Sequence, residues 1–215
     1  MPPNTSKAHV LSLYRRLAKH YGPQHWWPAR SSWEMMVGAI LTQNTAWINV
    51  EKAIRALKKT NALTLSAIAH LPRRKLETLI RPSGYFRQKA HRLQLFARAV
   101  MKDPSITHDR QRLLAQHGIG PETADSILLY AAGQPVFVVD AYTRRMGKRL
   151  GWLRTDDYDK VQSFFHDRLP RDAALYNEFH ALIVRLAKEV CTSRDPRCTV
   201  CPVKRVCAYA RGKKE

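Results

Sequence analysis

Four cysteines near the C-terminus form the most compact chemical pattern in the sequence. Cys191, Cys198, Cys201 and Cys207 are separated by six, two and five residues, and no cysteine occurs earlier in the chain. A disulfide framework would be spread along the chain, whereas thiolates in one short run are typical ligands of zinc or of an iron–sulfur cluster. Zinc sites usually pair two ligand dyads across a longer insert, so this single run favours a four-thiolate cluster, with zinc as the alternative.

A glycine-containing turn lies between two apolar helical segments in the middle of the chain. Gly118 and Gly120 flank Ile119 and permit a tight turn, and Pro121 suits the first position of the helix that follows. The N–H groups at the start of such a helix can point at a phosphate. A Gly-x-Gly turn by itself is equally typical of a helical hairpin inside a core.

A carboxylate stands where an apolar run meets a strongly basic segment. Asp140 follows Val138 and Val139 and precedes a segment with Arg144, Arg145, Lys148 and Arg149. Taken alone, an aspartate in this place is typical of a helix N-cap. A buried carboxylate can also stabilise a positive charge that develops during a reaction, or activate water for an attack. A helix N-terminus favours the ionised form, which both roles require.

Tryptophans cluster in the first quarter of the chain. Trp26 and Trp27 precede Pro28, and Trp47 follows within a short distance. Two adjacent tryptophans in a loop are difficult to bury together, so one is expected to face elsewhere. Trp47 lies on an apolar stripe, where core packing is as typical as binding. Indole faces attract a positively charged ligand by cation–π contacts of about 0.5 to 2 kcal/mol.

The elements that must position these side chains are predicted to be helices. Apolar residues recur at spacings of three and four along most of the chain, and Ser31 with Glu34 predicts a capping box. Only Val136–Val139 could form a strand, and four apolar residues are too few to predict one. We therefore predict an all-α protein with helices near residues 10–21, 32–41, 47–57, 72–80, 85–100, 108–116, 122–132, 141–150, 157–168 and 173–190.

Composition and charge restrict the class of protein. The 215 residues include 37 Lys+Arg and 17 Asp+Glu, for a net charge of +20, and the 45% hydrophobic content with five Trp excludes intrinsic disorder. No apolar stretch approaches a membrane span, and the N-terminus lacks a secretory signal. We expect an intracellular protein, cytoplasmic and nucleoid-associated if bacterial, whose partner is a polyanion. Part of the charge lies in a short basic tail, Arg211–Lys214.

Taken in order, these motifs resemble the helix-hairpin-helix DNA glycosylase superfamily, of which endonuclease III is the familiar member. The resemblance rests on Leu41–Thr45, Gly84–Ala90, the glycine turn, Val139-Asp140 and the cysteine spacing. It implies a two-domain fold: residues 29–135 form a helical barrel with the hairpin at about 108–132, and residues 1–28 plus 136–215 form a second domain with a [4Fe-4S] loop at 191–207.

The same resemblance implies how the parts act on double-stranded DNA that contains a damaged base. The damaged nucleotide turns out of the duplex into a cleft, where Asp140 is the catalytic carboxylate. The four cysteines hold the [4Fe-4S] cluster. The residues expected to contact the DNA are Gln43, Asn44, Gly118, Ile119, Gly120 and Arg144. In endonuclease III a glutamine fills the gap left by the flipped base, and Asn44 stands at that position.

The segment around the tryptophans resembles the 3-methyladenine DNA glycosylase III branch of this superfamily. In that branch the base stacks between aromatic residues that correspond to Trp26 and Trp47, and Trp27 and Pro28 shape the pocket. This implies an N3- or N7-alkylated purine as the substrate.

The hairpin departs from the pattern of the bifunctional relatives. Those enzymes have a lysine where this chain has Glu122, and the Schiff-base chemistry of strand cleavage needs an amine. We therefore predict a monofunctional glycosylase without lyase activity. Glu122 either stabilises the helix N-terminus through its negative charge or faces a cationic base. The second role makes it a candidate substrate-binding residue.

Two alternatives to an alkylpurine glycosylase remain at this point. The first is a glycosylase for uracil, mismatched thymine, an adenine mispair or oxidised pyrimidines. The tryptophans argue against it. The second is a non-catalytic DNA-binding iron–sulfur protein, against which Asp140 argues because a pure binder does not need it. In each case we expect a monomer.

Overall fold

The computed structural model describes residues 5–212, and within them every regular element is a helix or a helical turn. Lys213 and Lys214 of the predicted basic tail lie outside the described residues. The chain divides into two compact units: Trp27–Gln134 form one, and the residues up to Trp26 combine with those from Pro135 onward to form the other. The sequence analysis predicted the corresponding domain boundaries after residues 28 and 135. Among the described helices, none combines the length and apolar character that a membrane span requires.

The unit of residues 27–134 is built around a helix that is buried on all sides. Met35 to Leu41 are buried without interruption, because neighbouring helices cover every face of this segment. The helices of this unit are α2 Ser32–Thr42, α3 Trp47–Lys59, α4 Leu65–His70, α5 Arg73–Ile80, α6 Phe86–Lys102, α7 Arg110–Leu114 and α8 Pro121–Ser126, which continues into a π-helical turn, Ile127–Ala131.

The second unit combines the N-terminal helix with the C-terminal helices around an aromatic core. Phe137 stacks on Phe165 with ring centroids 4.2 Å apart, and Phe179 contacts both rings edge-on. Aspartates cap three of the helices. The helices of this unit are α1 Lys7–Tyr21, α9 Ala141–Leu150, α10 Tyr158–His166, α11 Ala173–Glu189 and α12 Ala208–Gly212.

The helical prediction is confirmed, with local differences that have physical causes. The predicted capping box at Ser31 is half wrong: Ser31 accepts from the Glu34 N–H, but the Glu34 carboxylate accepts from the Arg30 N–H and pairs with Lys58. The sequence analysis missed α4, which has only six residues and too few apolar positions to show a period. Residues 136–139 belong to no regular element, and no strand forms anywhere in residues 5–212.

Candidate active site

Asp140 is the N-cap of α9 and directly follows a buried segment without regular structure. Its Oδ1 accepts a hydrogen bond from the Thr143 N–H at 2.7 Å, as the N-cap interpretation predicted. Val138 and Val139 before it are buried, which fixes the backbone from which the carboxylate projects. The Asp140 side chain keeps 13% of its surface exposed, so solvent or a ligand can still reach it. The carboxylate is therefore rigid and accessible.

The charge of Asp140 is set by the buried histidine of α11. His180 Nε2 lies 3.5 Å from Asp140 Oδ2. Burial acts to raise the pKa of Asp140, but the charge and hydrogen bonding of His180, together with the Thr143 N–H, hold this pKa below the ordinary aspartate value. The sequence analysis did not connect His180 to Asp140, because only the fold brings the two residues together. The arrangement keeps the carboxylate ionised.

Two tryptophan rings line a pocket in the unit of residues 27–134. The Trp27 and Trp47 rings meet edge to face with centroids 5.1 Å apart, and the Tyr130 ring lies 5.4 Å from Trp27. The cavity beside them measures about 230 Å³, and Pro28 forms part of its wall. Gly38 leaves room for the Trp27 ring, because a Cβ at position 38 would lie only 3.2 Å from the Trp27 indole nitrogen. Of the predicted pocket residues, the structure thus brings together Trp27, Pro28 and Trp47.

Charged side chains complete the wall of this pocket. The Trp47 indole N–H donates to Glu51 Oε1 at 3.0 Å. Glu34 is nearly buried and pairs with Lys58 at 2.6 Å, and Arg55 also lines the cavity. The sequence analysis did not single out Glu51, although its place four residues after Trp47 on a helix was a usable signal. For Tyr130 the sequence offered no such signal.

Trp26 belongs to the other unit, whose N-terminal part ends at this residue. Its indole nitrogen is buried. The predicted stacking of a base between Trp26 and Trp47 stays a prediction.

The glycine turn joins α7 to α8 and is fixed by contacts from a distant loop. Gly118 has φ +78°, and a Cβ there would collide with the Arg92 side chain at 2.3 Å. The Gln43 side-chain amide donates to the Gly118 carbonyl and to Thr123 Oγ1, each at 3.0 Å, and Gln43 Oε1 accepts from Arg92 at 2.8 Å. Gly120 is exposed at the start of α8. These contacts hold the turn in place, and of its three residues 118–120 only Gly120 is exposed.

Three of the residues predicted to contact DNA are partly buried or already hydrogen-bonded within the protein. The Ile119 side chain is buried, and the Ile119 N–H already donates to the Gln116 carbonyl at 3.1 Å. The Gln43 side chain is occupied by the hairpin contacts, whereas Asn44 is exposed with φ +52°. Arg144 is half-buried and donates from Nε to the Asp156 carbonyl at 3.1 Å. Glu122 lies exposed in the first turn of α8.

Lys89 is a buried cation that connects α6 to the end of α2 and to the segments that contain Thr45 and Ser83. Its Nζ donates to the Leu41 carbonyl at 2.8 Å, to Thr45 Oγ1 at 2.8 Å and to the Ser83 carbonyl at 2.7 Å. Burial, with the nearby Arg92 charge, lowers its pKa to about 8. All three ammonium protons are used in these contacts. Lys89 therefore braces the segment that carries Gln43 and Asn44.

We expect Lys89→Met to lower the free energy of unfolding by about 3 kcal/mol or more, because the substitution leaves buried acceptors without a donor. Chemical denaturation followed by circular dichroism measures this change. Lys75→Met, at an exposed position of α5, is the matched control and should change stability by no more than about 0.5 kcal/mol. Equal stability of the two variants would contradict the bracing role.

The four cysteines line one small cavity in the C-terminal loop. Arg149 donates to Cys191 Sγ at 3.1 Å and to the Thr192 carbonyl at 2.7 Å, and its own carbonyl accepts from Cys207 Sγ at 3.2 Å. Burial raises the pKa of the Cys201 and Cys207 thiols, and the neighbouring thiols add to this effect. Among the described residues, no set of three or more His, Cys, Asp or Glu side chains is arranged to hold a single metal ion. The converging soft donors fit an iron–sulfur cluster.

Comparisons with known proteins agree on one family. The HhH-GPD superfamily of base excision DNA repair proteins matches residues 37–171. A Methanocaldococcus jannaschii protein provisionally named a DNA repair glycosylase is 42% identical over 210 residues, which cover 92% of this chain and 95% of that protein. Endonuclease III of Thermotoga maritima is 27% identical over 204 residues, which cover 94% of this chain and 93% of that protein.

One solved structure is similar in both sequence and fold. The Helicobacter pylori 3-methyladenine DNA glycosylase bound to 1,N6-ethenoadenine matches this chain with a TM-score of 0.77 and 33% identity. The match covers 86% of this chain and 98% of that one.

Proposed function

Because the chain belongs to the HhH-GPD superfamily of base excision DNA repair proteins, we propose that this DNA glycosylase releases an N3- or N7-alkylated purine such as 3-methyladenine. The observation that carries the proposal is the pocket lined by Trp27 and Trp47, with the Tyr130 ring packed against Trp27. An alkylated purine nucleoside is positively charged, and indole faces attract such a ring. Similarity to the H. pylori 3-methyladenine DNA glycosylase supports the same substrate class.

Asp140 is proposed as the catalytic carboxylate. When the C1′–N bond breaks, its electron pair leaves with the base, and an alkylated base departs neutral without first being protonated. The ionised carboxylate stabilises the positive charge that develops on the deoxyribose and accepts the proton of the water that attacks C1′. The lowered pKa of Asp140 and its fixed position support this role.

We also propose that the enzyme leaves an intact abasic site. Strand cleavage by the bifunctional route requires an amine at the sugar, and the hairpin has Glu122 where those relatives have lysine. The buried Lys89 ammonium donates to three acceptors, so it is not available as a nucleophile.

The main chain at the glycine turn is proposed to contact the DNA backbone, where exposed N–H groups can bind phosphate. Asn44 is proposed to enter the space left by the flipped nucleotide, since it is exposed and Gln43 is not available. Cys191, Cys198, Cys201 and Cys207 are proposed to hold a [4Fe-4S] cluster. When bound, the cluster stabilises the loop that presents Arg194 and Arg205, both exposed, to DNA phosphates.

Release of labelled bases from methylated DNA, identified by chromatography, tests the substrate. We expect 3-methyladenine to appear far faster than uracil or thymine, and we expect no covalent enzyme–DNA adduct after borohydride treatment. Faster release of uracil, mismatched thymine or oxidised pyrimidines would overturn the alkylpurine assignment. A trapped adduct would overturn the absence of lyase chemistry, and release of no base at all would favour a DNA-binding protein without catalysis.

A further inference from the structure

The indole nitrogen of Trp47 has an anionic partner. Trp47 begins α3, and its N–H donates to Glu51 Oε1 at 3.0 Å, one helical turn later. Both side chains are half-buried and line the same cavity. A hydrogen bond to a carboxylate is roughly twice as strong as one between neutral groups, and it polarises its donor. The bond therefore fixes the orientation of the indole and increases the electron density of its ring.

The other acidic residue of this wall is already neutralised. Glu34 pairs with Lys58 at 2.6 Å and accepts from the Arg30 N–H. Glu51 forms no salt bridge among the described residues, and its side chain accepts a hydrogen bond from the Trp47 indole N–H. In a chain with a net charge of +20, a cationic base that enters this cavity would meet a repulsive field unless a local anion opposed it.

We propose that Glu51 is a specificity-determining residue, which acts through Trp47 to make the pocket prefer positively charged purines over neutral ones. The inference rests on the proposed function, because it assumes that the pocket receives the damaged base. Cation–π attraction depends on the electron density of the ring, and the carboxylate supplies density without touching the base. A neutral base of similar shape stacks on the same ring but gains less from the added density.

Glu51→Gln tests the inference, because glutamine keeps the shape and an acceptor oxygen but removes the charge. Single-turnover release is measured from two substrates: DNA with 3-methyladenine, which is cationic as the nucleoside, and DNA with 1,N6-ethenoadenine, which is neutral. The wild-type rates report on the proposed function by themselves. For the variant we expect the ratio of the 3-methyladenine rate to the ethenoadenine rate to fall about fivefold, through the loss of the cationic preference. Glu77→Gln on α5 removes the same charge elsewhere and should leave the ratio unchanged.

A double-mutant comparison tests whether Glu51 acts through Trp47 or directly on the base. Trp47→Phe keeps an aromatic ring but has no N–H, so in this background Glu51→Gln should change the ratio by less than twofold. An equally large change in both backgrounds would mean that the carboxylate acts on the base directly, and the inference would be wrong. An unchanged ratio in the Glu51→Gln single variant, or an equal fall of both rates, would overturn it as well. Failure of the wild-type protein to release alkylated purines would instead refute the proposed function, and the inference with it.

Discussion

Replacing Asp140 with asparagine is expected to lower the rate of base release by about 10² to 10⁴-fold, while the affinity for DNA with the damaged base changes by no more than a few-fold. Asparagine has nearly the same shape as aspartate and is an equally good N-cap, so it can still accept from the Thr143 N–H. Only the negative charge of the side chain is removed. Single-turnover base release and a binding titration measure the two quantities.

The matched control for this substitution is Asp157→Asn. Asp157 caps α10 as Asp140 caps α9, and its Oδ1 accepts from the Lys160 N–H at 2.9 Å. Each substitution removes one negative charge and keeps a capping side chain in the same unit. If Asp157→Asn slowed base release as much as Asp140→Asn, the effect would belong to net charge or helix stability and not to catalysis.

The pH profile provides a second readout of the same assignment. Because His180 and Thr143 outweigh burial and hold the pKa of Asp140 below the ordinary aspartate value, which is about 4, the carboxylate stays ionised as the pH falls toward that value. The rate of base release by the wild-type enzyme should therefore decline only at still lower pH. His180→Gln should move this acid limb to higher pH. A wild-type limb near pH 6 would contradict the ionised state of the carboxylate.

The helices and their caps could be predicted from the sequence because both depend on neighbours in the chain. The prediction of a helix over 141–150 with Asp140 before it is confirmed, since an aspartate cap and a basic last turn are local signals. The contacts of Gln43 were not predictable in this way. Its partners Gly118, Thr123 and Arg92 lie 49 to 80 residues away and meet it only in the folded chain.

Whether other contacts of the candidate site could be predicted also depends on whether the partners are close together in the sequence. Trp47 and Glu51 are one helical turn apart, so their hydrogen bond could have been anticipated. Tyr130 and His180 follow no motif, and the sequence gave no reason to place one beside Trp27 and the other beside Asp140. The shape of an aromatic pocket and the environment of a carboxylate are products of tertiary packing.

Cys201→Ser is expected to abolish iron binding and to destabilise the C-terminal loop by more than about 4 kcal/mol, as is typical when a structural metal is lost. The loop 191–207 contains only short helical turns, and burial raises the pKa of Cys201 and Cys207. Their thiols are therefore neutral unless a metal centre stabilises the thiolates. The measurements are iron content, visible absorbance and thermal unfolding.

The control for this substitution is Thr199→Ala, at an exposed position in the same loop, which should keep iron, colour and stability. DNA affinity is expected to fall at least about tenfold in Cys201→Ser and to stay near the wild-type value in Thr199→Ala, because only the first releases Arg194 and Arg205 from a fixed loop. Full iron content in Cys201→Ser would exclude Cys201 as a ligand. If the wild-type protein were colourless and contained stoichiometric zinc, the four cysteines would remain ligands, but of zinc and not of an iron–sulfur cluster. Thiolates bind either centre, and only the iron–sulfur cluster absorbs visible light.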